Sequence, residues 1–113
     1  MKDTQYLSSW IKRFLLEYLV STRNLSKNTQ LSYRDTFRLM LPFMAKQTKK
    51  AIDKLFVDDI SAGAIKVFLT GLETNRGCSL STRNQRLASI HAFAKFIGSN
   101  NPEYVEWCRQ IQM

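Results

Sequence analysis

Five cations on two separate stretches are the residues of this chain best suited to chemistry with a partner. They are Lys27, Arg34 and Arg38 on one stretch, and Arg83 and Arg86 on the other. Around them stand Ser26, Asn28, Thr29, Ser81, Thr82, Gln85 and Ser89. Guanidinium and ammonium groups neutralise phosphates and release condensed counterions, while hydroxyl and amide side chains reach phosphate oxygens and base edges. The wider charge pattern points the same way. Residues 23–50 carry seven basic residues against Asp35 alone, and residues 76–98 carry four with no acid, in a chain of net charge +8. Two such segments repel themselves unless a polyanion neutralises them. A solvated basic surface is the plain alternative, but more than half of these cations are arginines set among small polar residues. The mixture favours a nucleic acid.

Other chemistry is poorly served. The sequence holds no paired carboxylates, no nucleophile–base constellation and no Gly-rich phosphate loop. Its single histidine, His91, and its two cysteines, Cys78 and Cys108, lack any CxxC or HxxxH spacing, so no metal and no cofactor is expected. The cysteines read as reduced thiols. No apolar run approaches the ~20 residues that cross a bilayer. The first five residues, Met1 to Gln5, lack the apolar core and cleavage site of a signal peptide, so a cytoplasmic location is expected. A chain of 113 residues with 44% hydrophobic and 12% aromatic residues is too apolar for a disordered basic tail. It is long enough for one domain, 1–113.

The elements that must position the cations follow from apolar spacing. Leu7, Trp10, Ile11, Phe14, Leu15, Tyr18 and Leu19 repeat at helical intervals, predicting a helix over 4–21 with Asp3 or Thr4 as cap. A second helix, 27–46, starts after Ser26 and buries Tyr33, Phe37, Met40, Leu41 and Met44. Pro42 inside it is expected to kink it or end its regular part near Leu41. The connection Gln47–Asp59 should tuck Ile52, Leu55, Phe56 and Val57 against the core. A third helix, 61–75, has Ser61 as cap and Ile65, Phe68, Leu69 and Leu72 inward. The fourth, 81–97, buries Leu87, Ile90, Phe93, Ala94 and Ile97, with Gly98 placed to stop it. Ser81, Gln85, Ser89 and Ala92 fall on its opposite side. Asn101-Pro102 opens a last helix, 102–110, with Tyr104, Val105, Cys108 and Ile111 as its apolar face. No segment alternates with period two, so the fold class is all-α with four or five helices.

Several stretches resemble a known family. Leu25-Ser26-Lys27-Asn28-Thr29 followed by Tyr33 and Phe37, Leu55 to Ile60 leading into Phe68-Leu69 and Leu72, and Leu80 to Leu87 followed by Ile90, Phe93 and Phe96-Ile97 are similar to the core-binding domain of tyrosine recombinases, the phage-type integrases. Asn101-Pro102 is typical as well. The resemblance covers about residues 5–105. It implies a SAM-like helical bundle whose second and fourth helices meet the major groove and neighbouring phosphates of duplex DNA. It also implies other recombinase protomers on the DNA and a bacterial, phage or mobile-element origin. A separate catalytic domain, C-terminal to this one, would close around the duplex from the other side. The family's catalytic arginine, lysine, His-x-x-Arg pair and tyrosine nucleophile find no match here. His91 is followed by Ala92-Phe93-Ala94, and Tyr6, Tyr18, Tyr33 and Tyr104 sit at core-type positions or helix ends. The chain is therefore read as a non-enzymatic N-terminal fragment that ends where an interdomain linker would begin.

On this reading Lys27, Arg34, Arg38, Arg83 and Arg86 meet phosphates, with Ser26, Asn28, Thr29, Ser81 and Thr82 as further donors at two helix N-termini. Gln85 and Ser89 lie mid-face on the fourth helix, where the Gln85 amide matches an adenine edge. Leu31 matches a thymine methyl. Both cationic helices are expected to face one shared duplex. Structural readings compete at several positions: Ser26 and Ser81 as caps, Arg83 paired with a helix-end carboxylate, and Arg34 or Arg38 engaged with Asp35. Two other functions stay open, a helical protein-interaction domain meeting an acidic partner and a stand-alone helix-turn-helix regulator. The latter is weakened by a connection of roughly fourteen residues between the second and third helices, where that motif needs three or four.

Overall fold

Three serines start three helices. Ser26, Ser61 and Ser79 hold extended backbone, and each side-chain oxygen accepts from the N–H three residues on, at 3.2, 3.0 and 3.1 Å from Thr29, Ala64 and Thr82. This satisfies one of the orphan donors of a first helical turn. The helices belong to a computed structural model that describes residues 6–22 and 25–112. Five α-helices appear among the described residues: α1 (Leu7–Arg13), α2 (Lys27–Thr48), α3 (Ala62–Asn75), α4 (Leu80–Asn100) and α5 (Val105–Gln112). α1 runs directly into a π-helical stretch, Phe14–Thr22, and single 3₁₀ turns occupy Ile52–Lys54, Val57–Asp59 and Pro102–Tyr104. Among the described residues there is no strand, so the protein is all-α.

The chain divides into two compact units, one ending at Asp59 and one beginning at Ile60. In the first, Leu7, Trp10, Ile11, Phe14 and Leu19 are buried, as are Phe37, Met40 and Met44 of α2. Phe14 is the hub. It stacks on Tyr18 at 4.9 Å and meets Tyr33 and Phe37 edge-on at 5.5 and 5.8 Å, geometries that suit the ring quadrupole. The expected caps Asp3 and Thr4 lie outside the described residues. Tyr6 occupies the N-cap position of α1 without a side-chain cap bond. The amide of Leu7 donates instead to the Leu55 carbonyl at 2.8 Å, and the Tyr6 ring stacks on Phe56 at 4.9 Å. Leu55 and Val57 are fully buried as the spacing predicts, whereas Ile52 is 42% exposed and does not tuck in. Asp59 organises this connection. Its carboxylate accepts from the Phe56 amide and from Lys50 Nζ, both at 2.8 Å.

Pro42 neither ends α2 nor shortens it, since the helix continues to Thr48. The residue is exposed, so the Arg38 carbonyl deprived of its usual donor belongs to the water-facing side of the helix.

In the second unit, Ile65, Phe68, Leu69 and Leu72 of α3 and Ile90, Phe93, Ala94 and Ile97 of α4 are buried. Phe96, Tyr104 and Ile111 join them, while Val105 is 56% exposed and leaves the apolar face assigned to it. Trp107 Nε1 donates to the Ile60 carbonyl at 2.8 Å, tying α5 to the approach to α3. On the outer side of α5, hydrogen bonds from the Arg109 guanidinium hold the Glu106 carboxyl below its ordinary pKa. Gly98 does not stop α4, which runs on to Asn100. A Cβ on Gly98 would lie 2.8 Å from Cys108 Cβ and 3.1 Å from its Sγ. This glycine admits α5 rather than ending α4. The helix breaks at Asn101, whose side chain accepts from the Glu103 amide, with Pro102 opening the next turn.

Candidate nucleic-acid interface

Lys27, Leu31, Arg34 and Arg38 fall at i, i+4, i+7 and i+11 along α2 and are all exposed. Helical geometry puts them on one face, roughly opposite Phe37, Met40 and Met44. Arg38 pairs with Asp35 one turn earlier, yet its side chain remains 76% exposed. An ion pair this open is worth about 0–1 kcal/mol, so a phosphate can compete for the guanidinium. Arg34 lines a shallow hollow with Leu15, Leu16 and Leu41, the arrangement by which an arginine stem covers apolar surface while its head stays in water. Leu31 is 47% exposed on the same stripe. At the N-terminus of α2, Asn28 is exposed, and the Thr29 hydroxyl lies 3.0 Å from Ser26 Oγ. Ser26 is thus a cap, and Thr29 is partly engaged by it.

In the second unit the polar face of α4 is shorter than the helical wheel predicts. Its cap is Ser79, not Ser81, and the helix starts at Leu80. Ser79 Oγ donates to the Thr82 hydroxyl at 3.1 Å while accepting from the Thr82 amide, so Thr82 is held at the helix start. Ser81 and Gln85 are exposed, and Arg86 is half-buried. Arg83 turns away from the open face. Its Nε lies 2.9 Å from Glu73 Oε1 of α3, and its side chain is 24% exposed. This is the helix-end carboxylate pairing that competed with a phosphate role for Arg83. Ser89 is 4% exposed and donates to the Gln85 carbonyl at 3.1 Å, which removes it from an outward-facing contact. The reason is periodicity: Ile90, Phe93 and Phe96 widen the buried stripe until it takes in Ser89 on its edge.

Sequence reasoning missed Ser79 as a cap, although Ser79-x-x-Thr82 repeats the Ser26-x-x-Thr29 spacing. It also gave no contact to Lys46, Lys49 and Lys54 at the end of α2 and beyond, all of which are exposed. Their clustering was the available signal. No helix among the described residues is long and apolar enough to cross a membrane.

Comparison with known proteins gives this arrangement a family. Residues 11–101 match the phage integrase N-terminal SAM-like domain. Two proteins of Sinorhizobium fredii are similar to the chain. "Putative integrase/recombinase y4rC" is 37% identical over 98 residues, covering 87% of this chain and 30% of that protein. "Putative integrase/recombinase y4rD" is 29% identical over 102 residues, covering 90% of this chain and 36% of that protein. The chain thus spans about a third of the length of these relatives. No solved structure matches it. The serine-capped helices, the all-α fold and the match across residues 11–101 place this chain in the phage integrase family, as an N-terminal SAM-like domain.

Proposed function

We propose that this chain is the DNA-binding module of a site-specific tyrosine recombinase, acting in DNA integration or recombination. The observation that carries the reading is the outward stripe of α2, where Lys27, Arg34 and Arg38 are exposed with Asp35 as the neighbouring acid. Lys27, Arg34, Arg38 and Arg86 contact phosphates of a duplex. Asn28, Thr29, Ser81 and Thr82 add donors at two helix starts, where backbone amides also favour an anion. Gln85 and Leu31 are the side chains that touch base edges. Arg83 and Ser89 are left out, the first committed to Glu73 and the second buried.

The module itself performs no strand cleavage. The relatives are about three times longer, and the chemistry belongs to a catalytic domain following this one, with further protomers assembled on the same DNA in the cytoplasm of a bacterial host. Titration of a labelled duplex at two salt concentrations tests the reading. Four phosphate contacts would weaken binding about 100-fold between 50 and 200 mM salt. The double variant Arg38→Glu/Arg86→Glu is expected to lose at least tenfold in affinity while melting within a few degrees of the parent. Absent or salt-independent binding by the parent rejects the function, and unaltered affinity in the double variant rejects the surface.

A further inference from the structure

Among the described residues, Lys49 is the only one besides glycine with a positive φ, at φ 59° and ψ 39°. It closes α2, its own N–H and that of Lys50 both donating to the Ala45 carbonyl. This left-handed position crowds a Cβ against the next carbonyl, and helices usually fill it with glycine or asparagine. A lysine there costs stability relative to glycine, which makes its side chain a candidate for a role outside the fold.

The position of Lys49 says what that role is. Lys27 and Arg38 are eleven residues, about three helical turns, apart on one exposed stripe. Lys49 follows eleven residues later as the C-cap just past Thr48, so its Cα closes the distal end of that stripe while its side chain leaves the helical register. Leu31, Arg34 and Pro42 lie along it and are exposed. The stripe runs roughly 33 Å from Lys27 to Lys49 at 1.5 Å per residue, close to one turn of duplex DNA. Lys46 in the last turn of α2 and Lys54 in the following 3₁₀ turn are also exposed. Lys50 behaves differently, being held by Asp59 at 2.8 Å and over the Phe56 ring at 4.7 Å. The geometry points to Lys49 as the distal phosphate contact of α2, with the whole outward face of the helix, and not its N-terminus alone, lying against the DNA backbone. This inference rests on the DNA-binding reading above.

The test uses the chain with Lys49→Gly, Lys49→Asn and Lys49→Arg, each melted and each titrated with duplex across a salt series. The glycine and asparagine variants should melt at or above the parent temperature yet bind three- to tenfold more weakly at low salt. Their dependence of log K on log salt should be shallower by about one. The arginine variant should bind like the parent. Parent-like affinity and salt slope in the glycine and asparagine variants would overturn the assignment, and so would melting clearly below the parent. A parent chain that binds no duplex would instead overturn the DNA reading itself, which keeps the two failures apart.

Discussion

Gly98 on α4 faces Cys108 on α5 with room for a hydrogen and nothing larger, since a methyl carbon at that position would fall 2.8 Å from Cys108 Cβ. Gly98→Ala should therefore cost about 1–3 kcal/mol, the usual penalty for forcing a carbon into a packed interface. Urea denaturation measures it. Combining Gly98→Ala with Cys108→Gly should recover part of that loss, so the two changes should be non-additive by more than about 0.5 kcal/mol. Strict additivity would show that the helices simply move apart.

The Arg83–Glu73 pair predicts a division of labour among the arginines. Arg83→Ala should lower stability by up to about 1 kcal/mol, as expected for a partly exposed ion pair joining two helices. Its effect on the salt dependence of DNA binding should be smaller than that of Arg38→Ala. Equal losses in slope would return Arg83 to the phosphate contacts.

Pro42 sits inside an unbroken helix, where the missing N–H and the ring cost stability. Pro42→Ala is expected to stabilise the chain by about 1–3 kcal/mol in chemical denaturation. A loss of stability would mean that the ring makes packing contacts that outweigh its backbone penalty.

The start of α4 offers a side-by-side comparison of two serines. Ser79→Ala should cost about 1 kcal/mol through the lost cap, whereas Ser81→Ala, within the first turn and exposed, should stay within about 0.5 kcal/mol. DNA affinity should show the reverse order, with Ser81→Ala the more affected.

Much of the fold was legible in the residues because periodicity and caps are local. Ser26, Ser61, the buried stripes of α2, α3 and α4, and Asn101-Pro102 are all read from a few neighbouring positions. The misplaced features are those where one residue type serves two purposes. A glycine near a helix end, such as Gly98, signals a stop or a close approach, and only the partner Cys108 decides which. Two serines two residues apart, Ser79 and Ser81, both satisfy a cap preference, and the Thr three positions after the first was the deciding clue. For the candidate site, Lys27, Arg34 and Arg38 follow from the opposite side of a well-marked core stripe. Arg83 does not, because its partner Glu73 lies on a different helix. Clustering with Lys46 and Lys54 was the only sign of Lys49 in the residues, because sequence does not reveal its left-handed φ.

The indole of Trp107, bonded to the Ile60 carbonyl, and the buried ring of Trp10 are the chain's two tryptophans, and one falls in each compact unit. Nature has thus supplied a separate fluorophore for each half. Replacing either one with phenylalanine leaves a single indole, which can be excited selectively over the four tyrosines, and the pair of melting curves reports directly whether the halves come apart in one step or two.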